Sequence, residues 1–570
     1  MTLHLALTFE PTWSGVKEMF VDTSSVASGN ELAWTNRGSW TVPSNKLIPV
    51  TTDHYDVFRT GANVHETILT PATAGSLTFK KALPLDNCAW AQPLYVPNVL
   101  IGGALHNVLY VATSNATIYA YDADSTTPNP SPLWTRNLGT PYIPVSAGTE
   151  YMDIWDCSSG LRQGPVGIIG TPVIDLSSNT IYTVANLNTA TPPAQSSQQR
   201  LYSIDIKNGA IKSTSVPITA SGVTTTFNAD YQNQRPGLLL ADSRVMFGYS
   251  SFGDQNIYQG WMFSYSSSSL ALLDNWNYAN AGFTQGSGIW MSAGGPSFDG
   301  RKVYFSTGNP ISDGFNATQY ANSLLQVDPN QGASPGINSV GLANINRYLP
   351  PQASSWVGQD LDVGSSRVIV VPGTKYSLVG GKAGNIYIVD RNTNQESTLY
   401  PPFHADQANR GTLLTGNPEI SGGLAYWQGN GSGSLFVWSS GKQLQSFSLE
   451  GLNINTATAP VGGVTGDITP DGEQGAAISI SSSFDTNGLV WAIVPKGADT
   501  THTYGTRGTL QVYSAADLSF LKSYPLKTSS DALGDYWIKF IPPIVANGKV
   551  FVTTGGQAPA IKPRVLVFGQ

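Results

Sequence analysis

A degenerate repeat of short apolar strands constrains the fold of this chain more than any other feature. Each unit has a strand rich in Val, Ile and Tyr, a short turn, and a second strand that often ends in Asp. Clear examples lie at 107–113, 180–183, 303–307, 376–379, 490–493 and 550–553. Four-stranded units recurring about every 45 to 70 residues are typical of a β-propeller. We therefore predict an all-β propeller of about eight four-stranded blades, with seven as the alternative.

The two ends of the repeat indicate how the ring closes. The final apolar stretch, 564–568, has the pattern of a third strand with no fourth strand after it. The early stretch 77–85 can supply that strand, and such closure removes an exposed sheet edge. Residues 1–50 do not fit the repeat. We predict an N-terminal extension or cap over 1–50 and a propeller over 51–570.

Composition favours the same fold and argues against several classes of partner. The chain has 59 Gly and 36 Pro in 570 residues, and only 12% of its residues are charged, which disfavours long helices. Its formal charge is −7 and it has no basic runs, so we expect neither nucleic acid nor an anionic membrane as a partner. No apolar run is long enough to span a bilayer.

Sequons and cysteines both suggest an oxidising compartment. Sequons begin at Asn115, Asn316 and Asn430, so we expect a secreted glycoprotein, although the first residues lack the cationic segment of a signal peptide. The two cysteines, Cys88 and Cys157, both lie in loops before apolar strands. We predict a disulfide between them, worth about 4 kcal/mol in the chain-entropy model, with two buried free thiols as the alternative.

Two stretches one repeat apart carry the side chains best suited to chemistry. Trp290 and Asn309 belong to the first stretch, and Asp360, Asp362 and Lys382 belong to the second. Each residue lies before an inner strand or after a second strand, and these ends of neighbouring blades meet at one mouth of a propeller. We predict that Asp360, Asp362 and Lys382 are catalytic and that Trp290 and Asn309 bind substrate. Ordinary turns and packing between blades are the alternative.

Further residues near predicted blade entries are candidates for the wall of the pocket. The substrate-binding candidates are Trp155, Arg162, Gln234, Arg235 and Trp356. Weaker candidates are Asp156, Tyr231, His404 and Trp427.

From about residue 80 to 570 the repeat resembles the quinoprotein propellers, the family of pyrroloquinoline quinone (PQQ) dehydrogenases. The stretch 381–391, Gly-Lys-Ala-Gly-Asn-Ile-Tyr-Ile-Val-Asp-Arg, is similar to a family motif, as is the turn Thr-Gly-Asn-Pro at 307–310. The resemblance implies a role for each matching residue. Trp290 would stack under the quinone, Asn309 would help to hold Ca²⁺, the Asp-x-Asp stretch 360–362 would supply the base, and Lys382 would contact the quinone oxygens.

The chain departs from the family pattern at several positions. Asn186-Leu-Asn188 stands where the family has a metal-binding Glu, and Cys157 stands alone where the family has adjacent cysteines. Leu361 replaces an aromatic residue, and no Cys-x-x-Cys-His haem motif is present. Losing a carboxylate weakens Ca²⁺ binding. We therefore expect a site with no metal and no redox cofactor, with PQQ and Ca²⁺ as the alternative.

A pocket of this kind predicts an enzyme that acts on small apolar or aromatic molecules. In size and repeat type the chain also resembles the fungal intermolecular hetero-Diels–Alderases of tropolonic sesquiterpenoid biosynthesis. That resemblance implies a cycloaddition, in which Trp290 orients a flat diene and Asp362 or Lys382 assists. One alternative is a PQQ- and Ca²⁺-dependent alcohol or sugar dehydrogenase. Another is a carbohydrate-binding or carbohydrate-active propeller.

Overall fold

The computed structural model divides the chain into two compact units, residues 1–48 and residues 49–570. In the first unit, β1 (Gly15–Val21) and β2 (Thr35–Val42) form an antiparallel hairpin. The structure describes residues 15–21, 35–42, 47–144, 155–159, 161–221, 226–254, 257–277, 286–292, 294–310, 320–330, 345–356, 359–396, 403–404, 419–429, 432–450, 453–454, 475–496, 507–528, 530–531, 533–557 and 560–570.

The second unit is an eight-bladed β-propeller built from sheets of four or five strands, in which every pairing is antiparallel except that of the short strand β3 (Ala62–Asn63) with β33 (Ala477–Ser483). It begins with β3 and β4 (Thr78–Pro84). Blade 1 contains β5 (Leu94–Ile101), β6 (Ala104–Ala112), β7 (Thr117–Asp122) and β8 (Trp134–Asn137). A small hairpin follows, β9 (Trp155–Asp156) with β10 (Leu161–Arg162). Blade 2 contains β11 (Val173–Asp175), β12 (Thr180–Asn188), β13 (Ser197–Asp205) and β14 (Ile211–Thr214).

Blades 3 to 5 continue the ring. Blade 3 contains β15 (Gln232–Asn233), β16 (Leu239–Ala241), β17 (Arg244–Ser251), β18 (Trp261–Ser266) and β19 (Leu272–Asn277). Blade 4 contains β20 (Ser297–Phe298), β21 (Val303–Ser306), β22 (Leu324–Val327) and β23 (Ile345–Tyr348). Blade 5 contains β24 (Val368–Val370), β25 (Tyr376–Val379), β26 (Asn385–Asp390), β27 (Gln395–Glu396) and β28 (Phe403–His404).

Blades 6 to 8 complete the ring. Blade 6 contains β29 (Leu424–Gly429), β30 (Ser432–Val437), β31 (Gln445–Glu450) and β32 (Asn453–Ile454). Blade 7 contains β33 (Ala477–Ser483), β34 (Thr486–Lys496), β35 (Arg507–Ser514) and β36 (Phe520–Pro525), with β3 added beside β33. Blade 8 contains β37 (Ile544–Ala546), β38 (Lys549–Thr554) and β39 (Arg564–Gly569), with β4 as its outer strand. Short 3-10 turns lie at Ala74–Ser76 and Ala353–Trp356.

Both ends of the propeller unit meet in blade 8. β4 pairs antiparallel with β39, with Leu83 opposite Val565 and Ala82 opposite Leu566. The pairing satisfies the backbone groups that β39 would otherwise expose at a sheet edge. The predicted all-β fold, eight blades and closure by an early strand are therefore confirmed. Among the described residues, no helix is long and apolar enough to cross a membrane.

The segment 49–66 lines the inside of the ring, a role that no sequence pattern indicates. Its backbone bonds to the innermost strands of successive blades, as when Val50 pairs with Tyr95 of blade 1 at 2.7 Å. Further on, the carbonyls of Val57 and Gly61 accept from Phe298 of blade 4 and Ile480 of blade 7, at 2.7 and 2.8 Å. We call residues 49–66 the central segment. Their backbone partners explain why they remain ordered without a blade of their own.

Charged side chains of the central segment are buried and paired. The Arg59 guanidinium is fully buried and donates to the Thr52 hydroxyl at 2.6 Å and to the carbonyls of Asp53 at 2.7 Å and Leu238 at 3.0 Å. Burial lowers the pKa of His54 to about 4. Buried charges are tolerated when such bonds replace their water shell.

A disulfide joins Cys88 and Cys157 in this unit, with their Cα atoms 5.3 Å apart. The predicted pairing is therefore confirmed. The bridge is buried against Ile538 and Ile541 at the entry to blade 8. A disulfide is compatible with an oxidising compartment. Of the predicted sequons, Asn115 lies in a half-buried turn, whereas Asn316 and Asn430 lie outside the described residues.

Candidate functional site

Blade topology brings the predicted catalytic residues to one end of the ring. Trp290 and Asp362 precede the innermost strands β20 and β24, while Asn309 and Lys382 follow the second strands β21 and β25. In an antiparallel blade, the start of the first strand and the turn after the second strand lie at the same end. The four residues therefore come from adjacent blades and face one mouth of the channel.

Asp360 links two of these side chains. Lys382 Nζ lies 2.7 Å from Asp360 Oδ1, and the Asn309 amide donates to the same oxygen at 3.1 Å. The Asp360 side chain is 66% exposed, so its ion pair contributes little to stability. The pair instead fixes where the ammonium and the amide lie.

Asp362 is the most perturbed acid of the cluster. Its side chain is buried, and its Oδ1 atom has no hydrogen-bond partner among the described residues. Burial raises the pKa of Asp362 to about 7; Lys382 opposes this, while Asp360, Asp254 and Glu419 add to it. A carboxyl that titrates near neutrality is suited to general base catalysis.

Lys382 keeps its charge beside this carboxyl. Burial lowers the pKa of its ammonium, but Asp362, Glu419 and Asp360 outweigh burial and raise that pKa overall. The cluster thus combines a fixed cation with an acid that can hold or release a proton.

Trp290 lies against Asp362 because glycine occupies position 308. A Cβ atom on Gly308 would lie 2.7 Å from Trp290 Cδ1 and 2.9 Å from Asp362 Oδ2. These approaches are shorter than van der Waals contact, so both side chains occupy the space that a larger residue would need. The Tyr258 ring meets Trp290 edge-on, with centroids 6.1 Å apart and planes at 78°. The result is a half-buried indole beside the acid.

Sequence reasoning missed Asp254, Tyr258 and Glu419. The buried Tyr258 hydroxyl donates to Asp254, and burial raises the pKa of the Asp254 carboxyl despite that bond. Asp254 and Tyr258 follow the second strand of blade 3, and Glu419 precedes the first strand of blade 6. Lys382 and Asp362 were predicted from the same two kinds of position, after a second strand and before a first strand. The same positional rule, applied to the weaker repeats, would have found them.

Other predicted wall residues lie in different surroundings. Trp356 is fully buried and packs near Tyr387, with ring centroids 6.4 Å apart, so it belongs to the core between blades. Gln234 is buried and its amide donates to the Pro236 carbonyl at 2.6 Å. The Arg235 guanidinium lies 4.3 Å from the Phe540 ring centroid.

The remaining predicted wall residues are described by their backbone pairing or by hydrogen bonds to nearby residues. Trp155 and Arg162 pair with each other across the β9–β10 hairpin. His404 pairs with Asn385 in blade 5. Asp156 accepts from Asn87 at 2.8 Å, the buried Trp427 donates to Phe484 O at 2.9 Å, and the Tyr231 N–H donates to Asn228 O at 3.1 Å.

The donor atoms of the cluster are suited to a hard cation. Asn309 Oδ1 and Asp362 Oδ1 are both buried and lack hydrogen-bond partners among the described residues. Calcium binds carboxylate and amide oxygens, and water can supply further ligands. Asn186, at the family's Glu position, instead uses its side-chain oxygen to accept from Ser197 at 2.6 Å. The described residues contain no group of three or more His, Cys, Asp or Glu arranged for a metal. Asn309 and Asp362 therefore each offer one buried oxygen of the kind that a hard cation binds.

The same cluster fits a flat, anionic cofactor. Trp290 offers a ring face beside Asp362, and Lys382 offers an ammonium held by Asp360. Stacking and a fixed cation are what a planar quinone with negative oxygens requires.

No protein-family model matches the sequence, and no curated protein is similar to it. Similar solved structures include the quinohemoprotein alcohol dehydrogenases from Pseudomonas putida HK5 and Comamonas testosteroni, each 13% identical, with TM-scores of 0.53 and 0.54. Each match covers 91% of this chain and 80% of the other. A europium-containing methanol dehydrogenase is also 13% identical, with a TM-score of 0.52, and the match covers 92% and 98% of the two chains.

These likenesses confirm the resemblance to the quinoprotein propellers at the level of the fold. They also correct the expectation of a cofactor-free site. Similar structures are named as quinohemoproteins and as a europium-containing enzyme, so this fold carries redox cofactors or metals in those proteins. The missing Glu and the missing adjacent cysteines misled the sequence argument. Those family ligands are not the only possible ones, because among the described residues Asn309 Oδ1 and Asp362 Oδ1 are buried oxygens without a hydrogen-bond partner. The chain has the fold of the quinoprotein dehydrogenases.

Proposed function

We propose that this protein is a quinoprotein-type oxidoreductase that oxidises the hydroxyl group of an alcohol or a sugar at the Asp362–Lys382 cluster. One observation carries the proposal. A buried carboxyl with a pKa of about 7 lies beside an indole ring and within the field of a charged lysine. Removing a proton from a hydroxyl group needs such a base, poised close to the working pH.

Four residues of the chain would hold the cofactor and its cation. Trp290 would stack against the quinone ring and Lys382 would bind an oxygen of the quinone. Asn309 Oδ1 and Asp362 Oδ1 would contribute ligands to a divalent or trivalent cation. When bound, a quinone cofactor accepts the two electrons that the alcohol loses.

The chain's own side chains would manage the proton. The Asp362 carboxylate would accept the hydroxyl proton as the alcohol reacts. Lys382, anchored by Asp360 at 2.7 Å, would stabilise negative charge that develops on neighbouring oxygens. Tyr258 meets the Trp290 edge and bonds Asp254, so it would hold the stacking surface in place.

The proposal takes the dehydrogenase alternative over cycloaddition. Three solved structures similar to this chain are named as alcohol or methanol dehydrogenases, which supports an enzyme that uses a redox cofactor. Cycloaddition remains a prediction from the sequence resemblance, and nothing among the described residues bears on it. A carbohydrate-binding role likewise remains a prediction.

Direct cofactor titration tests the proposal. The protein is mixed with PQQ and either Ca²⁺ or Eu³⁺, and binding is followed by visible absorbance and by thermal shift. We expect saturable binding that Trp290→Ala weakens. Trp134→Phe is the matched control, because Trp134 lies on the outer strand of blade 1 and bonds Ile206 O at 3.0 Å. Absence of binding with both metals would exclude the proposed function.

A further inference from the structure

Glu419 is an acid of the Asp362–Lys382 cluster that the proposed mechanism does not use. It precedes the first strand of blade 6, and the backbone N–H of the next residue, Ile420, donates to the Gly381 carbonyl at 3.1 Å. The backbone N–H of Lys382 in turn donates to the Asp362 carbonyl at 2.9 Å. These two bonds join the segments that carry Glu419, Lys382 and Asp362, and the Glu419 charge acts on both of the other side chains.

The charges of this cluster do not balance. Lys382 is its cation, and Asp360 already forms an ion pair with it at 2.7 Å, so these two charges compensate each other. Glu419 has no ion pair within the described part of the chain; its Oε1 atom accepts from the Ser421 hydroxyl at 2.8 Å. The Asp362 carboxyl adds a further negative charge whenever it is ionised. The mouth of the channel therefore keeps an excess of negative charge.

Carboxylate oxygens of the cluster remain available to a ligand. The Glu419 side chain is only half-buried, and its Oε2 atom makes no hydrogen bond to any described residue. Asp360 Oδ1 receives both Lys382 and Asn309, whereas Asp360 Oδ2 makes no such bond and belongs to a side chain that is 66% exposed. Asp362 Oδ1, which is buried, also lacks a partner among the described residues. A ligand with positively charged donor groups would satisfy such oxygens.

We propose that the alcohol oxidised at this site carries an ammonium group and that Glu419 binds this group. The N–H groups of an ammonium form charge-assisted hydrogen bonds with a carboxylate. A cationic substrate also reduces the excess negative charge of the mouth, whereas an anionic quinone cofactor increases it. The inference rests on the proposed function, since the bound ammonium would orient the hydroxyl group toward Asp362. The substrate class is then an amino alcohol.

Two ligands of nearly the same shape test this inference without any cofactor. The probes are 4-(aminomethyl)benzyl alcohol and 4-ethylbenzyl alcohol, in which a charged amino group replaces a methyl group. Isothermal titration calorimetry at neutral pH measures the binding of each probe to the full chain. We expect the amino compound to bind at least about tenfold more tightly, because a charge-assisted hydrogen bond typically changes affinity by that factor or more. Equal affinities would overturn the inference.

Variants locate the preference at Glu419. Glu419→Gln removes the charge but keeps an acceptor for the Ser421 hydroxyl, and it is expected to lose most of the preference for the amino compound. Glu419→Asp keeps the charge and is expected to retain part of the preference. Asp517→Asn removes one exposed charge from the turn between β35 and β36 of blade 7, so it should keep the preference in full. If Glu419→Gln prefers the amino compound as strongly as the unchanged protein does, or if Asp517→Asn loses as much of the preference as Glu419→Gln, the inference is wrong.

The same titrations, repeated with PQQ, separate this inference from the proposed function. A Glu419-dependent preference in a protein that does not bind PQQ would keep the ammonium site and refute the dehydrogenase. PQQ binding without any preference for the amino compound would refute only the ammonium site. If bound PQQ abolishes the preference, the cofactor occupies the place of the ammonium group, and the assignment of that place to the substrate is refuted.

Discussion

Replacing Asp362 by asparagine should change how the stability of the protein depends on pH. The buried Asp362 carboxyl has a pKa of about 7, against an ordinary value of 3.8. Because the folded state holds this proton more tightly than the unfolded state, the contribution of Asp362 to stability is most favourable below pH 4. It falls as the pH rises toward 7, where the folded state must carry the charge. The amide of the Asp362→Asn variant has no proton to lose in this range.

The size of this change in unfolding free energy follows from the difference between the folded and ordinary pKa values of Asp362. The pKa of about 7 lies about three units above 3.8, and each unit corresponds to about 1.4 kcal/mol. The unchanged protein should therefore lose about 4 kcal/mol relative to Asp362→Asn between pH 4 and pH 8. The side chain is only 3% exposed, so little of this difference is screened by solvent.

Urea unfolding of both proteins at several pH values measures this difference. Asp517→Asn is the control, because bonds from Ser519, chiefly from its backbone N–H, lower the pKa of this exposed carboxyl. The difference in unfolding free energy between the unchanged protein and Asp517→Asn should change with pH in the opposite direction. The unchanged protein should gain stability relative to this variant as the pH rises. Parallel stability curves for the unchanged protein and Asp362→Asn would refute the assignment of a perturbed acid.

Three other substitutions test the surroundings of the site. Lys382→Met removes the cation that lowers the pKa of Asp362, so the acidic limb of a pH–rate profile should move upward by about one unit or more. Gly308→Ala should destabilise the protein by about 1–3 kcal/mol in thermal unfolding and weaken ring stacking on the indole. Its control is Gly75→Ala, whose new methyl would have its nearest neighbour at 3.9 Å and should change stability by less than about 0.5 kcal/mol. Cys88→Ser should lower the unfolding free energy by about 2–5 kcal/mol, because the disulfide spans a sequence separation of 69. An unchanged pH–rate profile for Lys382→Met would contradict the role given to Lys382. Unchanged unfolding of Gly308→Ala or Cys88→Ser would contradict the packing at Gly308 or the role of the disulfide.

The fold was predictable because propeller strands are short, apolar and repeated. Strand periodicity located blades around 303–307 and 376–379, and the missing fourth strand after Val565 predicted the closure by β4. The central segment was not predictable. Its order depends on backbone bonds to strands hundreds of residues away, such as Gly61 to Ile480, and no side-chain pattern records such bonds.

The candidate site was predictable only in part. Position within the repeat identified Asp362 and Lys382, and the structure brings them together. The same positional rule reaches Asp254 and Tyr258 only through the weak blade 3 repeat, and it does not predict the bond between them or the contact of Tyr258 with Trp290, because both depend on packing. Nor could sequence show that Asn309 keeps a buried oxygen without a partner among the described residues.

The central claim is that Asp362 is the base of a quinone-dependent alcohol oxidation. The most direct test is alcohol-dependent reduction of an artificial dye by protein loaded with PQQ and Ca²⁺, comparing the unchanged chain with Asp362→Asn. We predict that both proteins bind the quinone and that only the unchanged chain reduces the dye, because the amide of Asp362→Asn cannot accept the hydroxyl proton. Dye reduction by Asp362→Asn at the rate of the unchanged chain would contradict the claim.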